Sequence, residues 1–307
     1  MIPSGASATI EPTCSFPEQL SAIADATNDC LDDILTLPEG KERRVVEAMR
    51  YSTLNGGKRL RPFLVVSSAD LFSVPRAQSV RVGAALEMVH CYSLIHDDLP
   101  AMDDDDLRRG QPTCHRAFDE ATAILAGDAL LTEAFAVLSD PKTHPDDTVR
   151  AATIAALAQA AGARGMVGGQ MLDLIAETTD LTEDEVKHLQ AMKTGRLLAV
   201  GCQMGGLLGH ADSHQIEALL GFGQLLGAAF QIADDLLDLE ASEADMGKAT
   251  GKDRAAGKAT FVSLYGVERA RDHGKTLVDQ AVATLHTFGE AAASLRAAAA
   301  FTVARRS

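Results

Sequence analysis

Two stretches of this chain are apolar on nearly every side of a helix. Residues 78–98 read QSVRVGAALEMVHCYSLIHDD and residues 215–239 read QIEALLGFGQLLGAAFQIADDLLDL. A helix that is hydrophobic all round belongs in the centre of a large bundle. Both stretches run directly from an apolar body into aspartates, so the rest of the chain must wrap two central helices that end in acid. From about residue 18 almost to the C-terminus, apolar residues recur at helical spacing. No strand alternation and no Asn-Gly or Asp-Gly hairpin stands out. The absence of Trp and an aromatic content of 4% leave a core of Ala, Leu, Val and Ile, which suits close-packed helices. The expectation is an all-α fold in a single domain. Residues 1–17 are expected to form a flexible N-terminal tail, and 18–307 one helical bundle around a central cavity.

Charge and cysteine usage remove several function classes. The formal net charge is -15, a poor match for nucleic acid, whose binding runs on Lys and Arg contacts to phosphate. Five cysteines, at 14, 30, 91, 114 and 202, include no Cys-x-x-Cys. That argues against a disulfide framework or structural zinc and for a reducing compartment. The N-terminus lacks a basic start followed by an apolar run, and the longest apolar stretches, 197–209 and 218–233, are short for a bilayer. The expected place is the cytoplasm, with no membrane span. The polar stretches 104–112 and 242–259 read as mobile loops.

The acid itself carries the functional signal. Positions 97–106 read DDLPAMDDDD. Pro100 ends or kinks the helix near Leu99, so Asp97 and Asp98 lie at a helix C-terminus, where the macrodipole disfavours anions. Like charges ~4 Å apart cost about 4 kcal/mol at an effective dielectric near 20. Such a cluster calls for cations, and Mg²⁺ is usually held by a few carboxylates together with substrate phosphate. The second cluster is Asp234, Asp235 and Asp238, with Asp234 and Asp238 four apart on one face. One acidic helix end alone reads as a solvated terminus; two at the ends of two apolar helices read as facing walls with metal ions between them. A diphosphate is the natural guest. Small positive islands suit its oxygens: Lys58, Arg59 and Arg61 after Gly56-Gly57; Arg108 and Arg109; Lys193 beside Thr194; and Lys248, Lys252 and Lys258, each preceded by Gly. Neither a P-loop nor a strand-linked dinucleotide motif is present.

At these residues the chain resembles the trans-prenyltransferases, the farnesyl and geranylgeranyl diphosphate synthases. The motifs that carry the resemblance are GGKRLRP at 56–62, SLIHDDLPAMDDDDLRRG at 93–110, KTG at 193–195, FQIADDLLD at 230–238 and GKAT at 257–260. The resemblance implies an isoprenoid-synthase-type bundle around a deep cavity, paired as a homodimer. It implies that Asp97 and Asp103, with Asp98 close by, hold two Mg²⁺ ions, and that Asp234, supported by Asp238, holds a third. Arg108, Lys193 and Lys258 would contact the allylic diphosphate. Gly57, Lys58, Arg61, His90 and Arg109 would form the isopentenyl diphosphate site, with Phe230 packing on the isopentenyl group and Lys248 in a closing lid. The oxygens of Thr194 and Gln231 would face the developing allylic cation. Tyr92, five residues before Asp97, would floor the chain pocket and stop growth at fifteen carbons; plain core packing explains a Tyr there equally well. Gln170 and Asp173 would support metal-bound water.

Other readings leave residues unexplained. A di-iron carboxylate bundle would use the Glu-x-x-His pairs Glu87/His90 and Glu185/His188, but Thr182 and Glu185 read as a capping box, and both aspartate clusters would be idle. A non-catalytic partner subunit could dispense with one acid motif, yet both are complete. A terpene cyclase usually carries Asn, Ser and Glu ligands in the second motif, where this chain has DDLLD. Geranylgeranyl diphosphate synthesis is the nearest alternative to farnesyl diphosphate synthesis.

Overall fold

A computed structural model describes residues 14–246, 262 and 266–304. Among these the architecture is helical throughout, apart from one two-stranded hairpin. Helix α1 (Phe16–Ile34) starts inside the segment expected to be a tail. The Glu18 carboxylate accepts from the Ser15 backbone N–H at 2.7 Å and from its hydroxyl at 2.8 Å, and Pro17 sits in the first turn. Helices α2 (Arg43–Leu54), α3 (Leu60–Asp70) and α4 (Arg76–Asp97) follow. Pro62 lies in the first turn of α3, as its missing N–H allows.

Helix α4 is the first central helix. Val82 through Val89 are all buried, so the all-round apolar reading of this segment holds. The helix ends at Asp97, three residues before Pro100. Beyond it, strands β1 (Leu107–Arg108) and β2 (Gln111–Pro112) pair antiparallel across Arg109 and Gly110. Both linking residues have positive φ, 52° and 77°, as a type I′ turn requires. The sequence reading found no hairpin here; the turn uses Arg-Gly, a weaker signal than Asn-Gly. The stretch expected to be a loose loop is held by bonds from the Tyr51 hydroxyl to the Pro112 carbonyl (2.7 Å) and from the Thr113 hydroxyl to the Asp105 carbonyl (2.8 Å).

After the short α5 (Cys114–Ala117), α6 (Glu120–Ser139) packs along α4, and α7 (Asp147–Ala161) and α8 (Met166–Ala176) continue the wall. Helix α9 (Glu183–Gln190) opens with the capping box expected of Thr182 and Glu185. One π-helical turn, Ala191–Gly195, joins it to α10 (Arg196–Leu208). The second central helix, α11 (Ser213–Met246), packs on α10 and on the helix Val267–Thr284. A 3₁₀ segment, Leu285–Ala292, and a last helix, Ala293–Ala304, complete the described chain. Two contiguous cores result, one along α4 and α6 and one along α11 and the C-terminal helices.

Two helices, Glu120–Ser139 and Ser213–Leu237, are long and apolar enough to cross a bilayer by length and composition. The first was not among the long apolar stretches picked out in the sequence. Both are core helices here: Ala126, Leu130 and Ala134 of one and Phe222, Leu226 and Ala229 of the other are fully buried.

Candidate active site

The first acidic motif is a tight backbone knot at the end of α4. The Asp103 N–H donates to the Asp97 carbonyl at 2.9 Å, and the Met102 and Asp104 N–H groups both donate to Leu99. Pro100 prevents the helix from continuing, and Asp104 at φ 52° completes the fold-back. Asp97 and Asp98 are buried, at 6% and 3% exposure. Burial pushes the Asp97 carboxyl up to about 6; Lys193 opposes this and Asp103 adds to it. Burial also raises Asp98, against the pull of Arg108, whose Nε donates to Asp98 at 2.8 Å while its Nη2 lies 2.6 Å away.

The π-helical turn carries Lys193 and Thr194 between the two acidic motifs. Lys193 Nζ stands 4.0 Å from Asp97 and 2.6 Å from Asp173 of α8. Gln170, the neighbour expected to act with Asp173, has a buried side-chain oxygen with no hydrogen-bond partner. On the other side the Thr194 hydroxyl donates to Gln231 Oε1 at 3.2 Å. Gln231 Nε2 donates to Asp235 at 3.0 Å, and Gln190 Nε2 reaches the other Asp235 oxygen at 3.3 Å. Gln190 escaped the sequence reading, and Asp235, named there as part of the second cluster, was given no role beside Asp234 and Asp238. Asp234 and Asp238 lie on the same helix, and Asp234 contributes to the field around Arg61. The wide turn is flanked by glycines. A β-carbon on Gly169 would meet the Lys193 backbone N at 2.3 Å, and one on Gly227 the Gly195 Cα at 2.8 Å.

A cavity of about 480 Å³ lies beside this site. Its wall includes Gly57, Lys58, Arg61, His90, Arg109 and Phe230, the six residues that the resemblance to trans-prenyltransferases implied for one substrate. Leu20, Phe301 and Thr302 also line it. No local pattern marks those three, because they come from the two ends of the chain. Arg109 donates to the Gly56 carbonyl and lies over Gly57, whose φ is 120° and whose β-carbon would stand 2.7 Å from Arg109 Nη1. Only glycine permits that approach. Burial, together with the guanidinium groups of Arg61, Arg109, Arg108 and Arg59, holds His90 well below its ordinary range. His90 is therefore a neutral imidazole among cations, able to donate one hydrogen bond without adding charge. Burial likewise lowers Arg61, and its buried Nε has no partner.

Arg59 proves to be structural. Exposed by only 2%, it donates to Glu87 at 2.8 Å, to Asn28 at 3.0 Å and to the Thr53 carbonyl. This commits Glu87 and removes it from any iron site. Tyr92 is 6% exposed and packs edge-on to His96 at 5.8 Å; His96 in turn bonds the Ile124 carbonyl at 3.1 Å. Lys248, Lys258 and the GKAT segment lie outside the described residues, as does the side chain of Asp238.

The profile of the polyprenyl synthetase family matches residues 42–298. The chain belongs to the polyprenyl synthetase family. Within it, the farnesyl diphosphate synthase of Escherichia coli is 44% identical over 277 residues, 90% of this chain and 93% of that protein. The large subunit 1 of an Arabidopsis thaliana heterodimeric geranylgeranyl pyrophosphate synthase is 40% identical, across 85% of this chain and 71% of its own. An apo crystal structure of an FPP/GFPP synthase from Zymomonas mobilis superposes with a TM-score of 0.86 at 46% identity, covering 94% of this chain and 98% of its own. Membership in the polyprenyl synthetase family accounts for the all-α fold and for isoprenyl diphosphates as the substrate class.

The donor set suits a hard divalent ion. Among the described residues no three Asp, Glu, His or Cys side chains form a cage by themselves. The carboxylates offered are oxygen donors, and Asp97 carries a protonation cost that a cation would relieve. That pattern fits an ion such as Mg²⁺, which completes its shell with water and substrate phosphate.

Proposed function

We propose that the protein is a farnesyl diphosphate synthase, condensing isopentenyl diphosphate first with dimethylallyl and then with geranyl diphosphate. The observation that carries this reading is the position of Lys193-Thr194, which spans the gap between the two acidic motifs beside a cavity lined by Lys58, Arg61 and Arg109. Asp97, Asp98 and Asp103 on one wall and Asp234 and Asp238 on the other would hold Mg²⁺, three ions in all. When bound, the metal neutralises the allylic diphosphate and favours its departure.

Lys193 and Arg108, with Lys258, bind that diphosphate and share its developing charge. In the neighbouring cavity Lys58, Arg61 and Arg109 hold the diphosphate of the second substrate, neutral His90 donates to it, and Phe230 packs on its hydrocarbon. The carbon–oxygen bond of the allylic substrate breaks, the isopentenyl double bond supplies the electron pair for the new carbon–carbon bond, and a proton leaves, taken by the released diphosphate. Thr194 and Gln231 present oxygens to the transient cation. The apolar walls of α4 and α11 exclude water that would trap it.

Ile124 and Leu125 of α6 are 44% and 58% exposed. We read this face as the contact between two copies in a homodimer, with the enzyme working in the cytoplasm. Incubating the purified protein with isopentenyl and dimethylallyl diphosphates and Mg²⁺, and sizing products by mass spectrometry, tests the assignment. A dominant C15 diphosphate is expected. A C20 product would move the chain to the geranylgeranyl synthases, and no product would overturn the reading.

A further inference from the structure

The geometry points to Gln190 as a positioning residue for the cation-facing oxygens, acting through Asp235. The inference rests on the prenyl-coupling reading above. Gln190 and Thr194 lie four residues apart at the π-helical turn, and Gln231 and Asp235 four apart on α11. Two hydrogen-bonded rungs join these segments. Thr194 donates to Gln231 Oε1 at 3.2 Å, and Gln190 Nε2 donates to Asp235 Oδ2 at 3.3 Å. Gln231 Nε2 to Asp235 Oδ1, at 3.0 Å, links the rungs along α11.

The direction of donation fixes what this group shows to a substrate. An ionised carboxylate only accepts, so Asp235 can face only the NH₂ side of the Gln231 amide. That turns the Gln231 oxygen toward Thr194. The Thr194 proton is spent on that oxygen, which leaves lone pairs, not an O–H, for the surroundings. An amide and a hydroxyl are ordinarily ambiguous partners; here both are set to present oxygen, the pole that a carbocation needs. The orientation depends on Asp235 keeping one oxygen on Gln231. Gln190 occupies the other oxygen and so resists rotation of the carboxylate. Asp235 is 9% exposed, which limits competition from water for those two bonds.

The test compares wild type, Gln190→Met and Gln190→His in steady-state kinetics with both substrates, alongside melting temperature. Met keeps the length and removes the donor; His restores an N–H donor. Loss of such an orienting partner typically costs about 10-fold or more. The expected result is a kcat about tenfold lower for Gln190→Met, KM values for both substrates within about twofold, an unchanged melting temperature, and recovery by Gln190→His to within about threefold of wild type. A second readout is the share of allylic diphosphate hydrolysed instead of coupled, which should rise in Gln190→Met. Unchanged kcat and hydrolysis in Gln190→Met would overturn the inference. So would a loss of kcat accompanied by a comparable rise in KM and a lower melting temperature, or no recovery with His. A wild-type protein that couples no substrate would instead overturn the underlying assignment.

Discussion

Arg59 and Glu87 form an ion pair sealed inside the protein: their side chains are 0% and 3% exposed, and the nitrogen–oxygen distance is 2.8 Å. Arg59 itself takes the left-handed conformation, φ 50° and ψ 37°. Its guanidinium ties α1, α2 and α4 to the loop that carries Lys58 and to the start of α3, which carries Arg61. Removing one member of a buried pair strands the other charge and costs about 3–5 kcal/mol. Glu87→Ala should lose stability on that scale in urea unfolding and weaken isopentenyl diphosphate binding. A loss below about 1 kcal/mol would mean that water reaches Arg59.

Gly57 should tolerate no side chain. At φ 120° any other residue is strained, and a β-carbon would push on the Arg109 guanidinium. In Gly57→Ala the KM for isopentenyl diphosphate should rise about tenfold or more, while that for the allylic substrate stays near wild type. Equal changes in both would remove Gly57 from one substrate's site.

Asp97 makes the metal response depend on pH. Its folded-state carboxyl lies at about 6, raised from 3.8. The folded chain then holds this proton more tightly than the unfolded chain, so stability without metal falls as pH rises between about 4 and 6, by up to about 3 kcal/mol. Mg²⁺ held by Asp97, as proposed above, would displace the proton. Its stabilisation of the fold should therefore be larger at pH 7.5 than at pH 5, and Asp97→Asn should flatten the difference. Melting curves with and without MgCl₂ at both pH values check this; identical shifts in the wild type would rule it out.

Tyr92 gives a prediction about product length. If its ring closes the chain pocket, Tyr92→Ala yields products beyond C15 by mass spectrometry. An unchanged C15 product would reduce Tyr92 to core packing against His96.

The two central helices were legible because their sequences are apolar on every side, a pattern that only burial explains. The cavity residues from Gly57 to Arg109 were legible through short motifs. Other features depend on tertiary packing and leave no local trace. The π-helical turn is ordinary helical sequence that widens where Gly169 and Gly227 let α8 and α11 approach. Arg59 and Arg61 look alike in GGKRLRP and both border the cavity, yet the Arg59 guanidinium is committed to Asn28 and Glu87 while the buried Nε of Arg61 has no hydrogen-bond partner. Helical spacing puts Asp234 and Asp235, three and four residues on, within reach of the Gln231 amide and leaves Asp238 out; the choice of Asp235 is made by side-chain rotation. Leu20, Phe301 and Thr302 meet only when the two ends of the chain come together.

A π-helical turn such as Ala191–Gly195 accommodates one residue more than the α-helical turn it replaces. Deleting a single residue there would let α9 and α10 fuse into one unbroken α-helix with the following side chains close to their present facing, because the wide turn absorbs a residue that an α-helix would express as a rotation of about 100°. Both helices could then keep their packing, α10 on α3 included, but the wide turn that sets Lys193 and Thr194 between the acidic motifs would be gone. The extra residue thus serves the site and not the frame of the bundle, and its loss should be read in activity before it is read in stability.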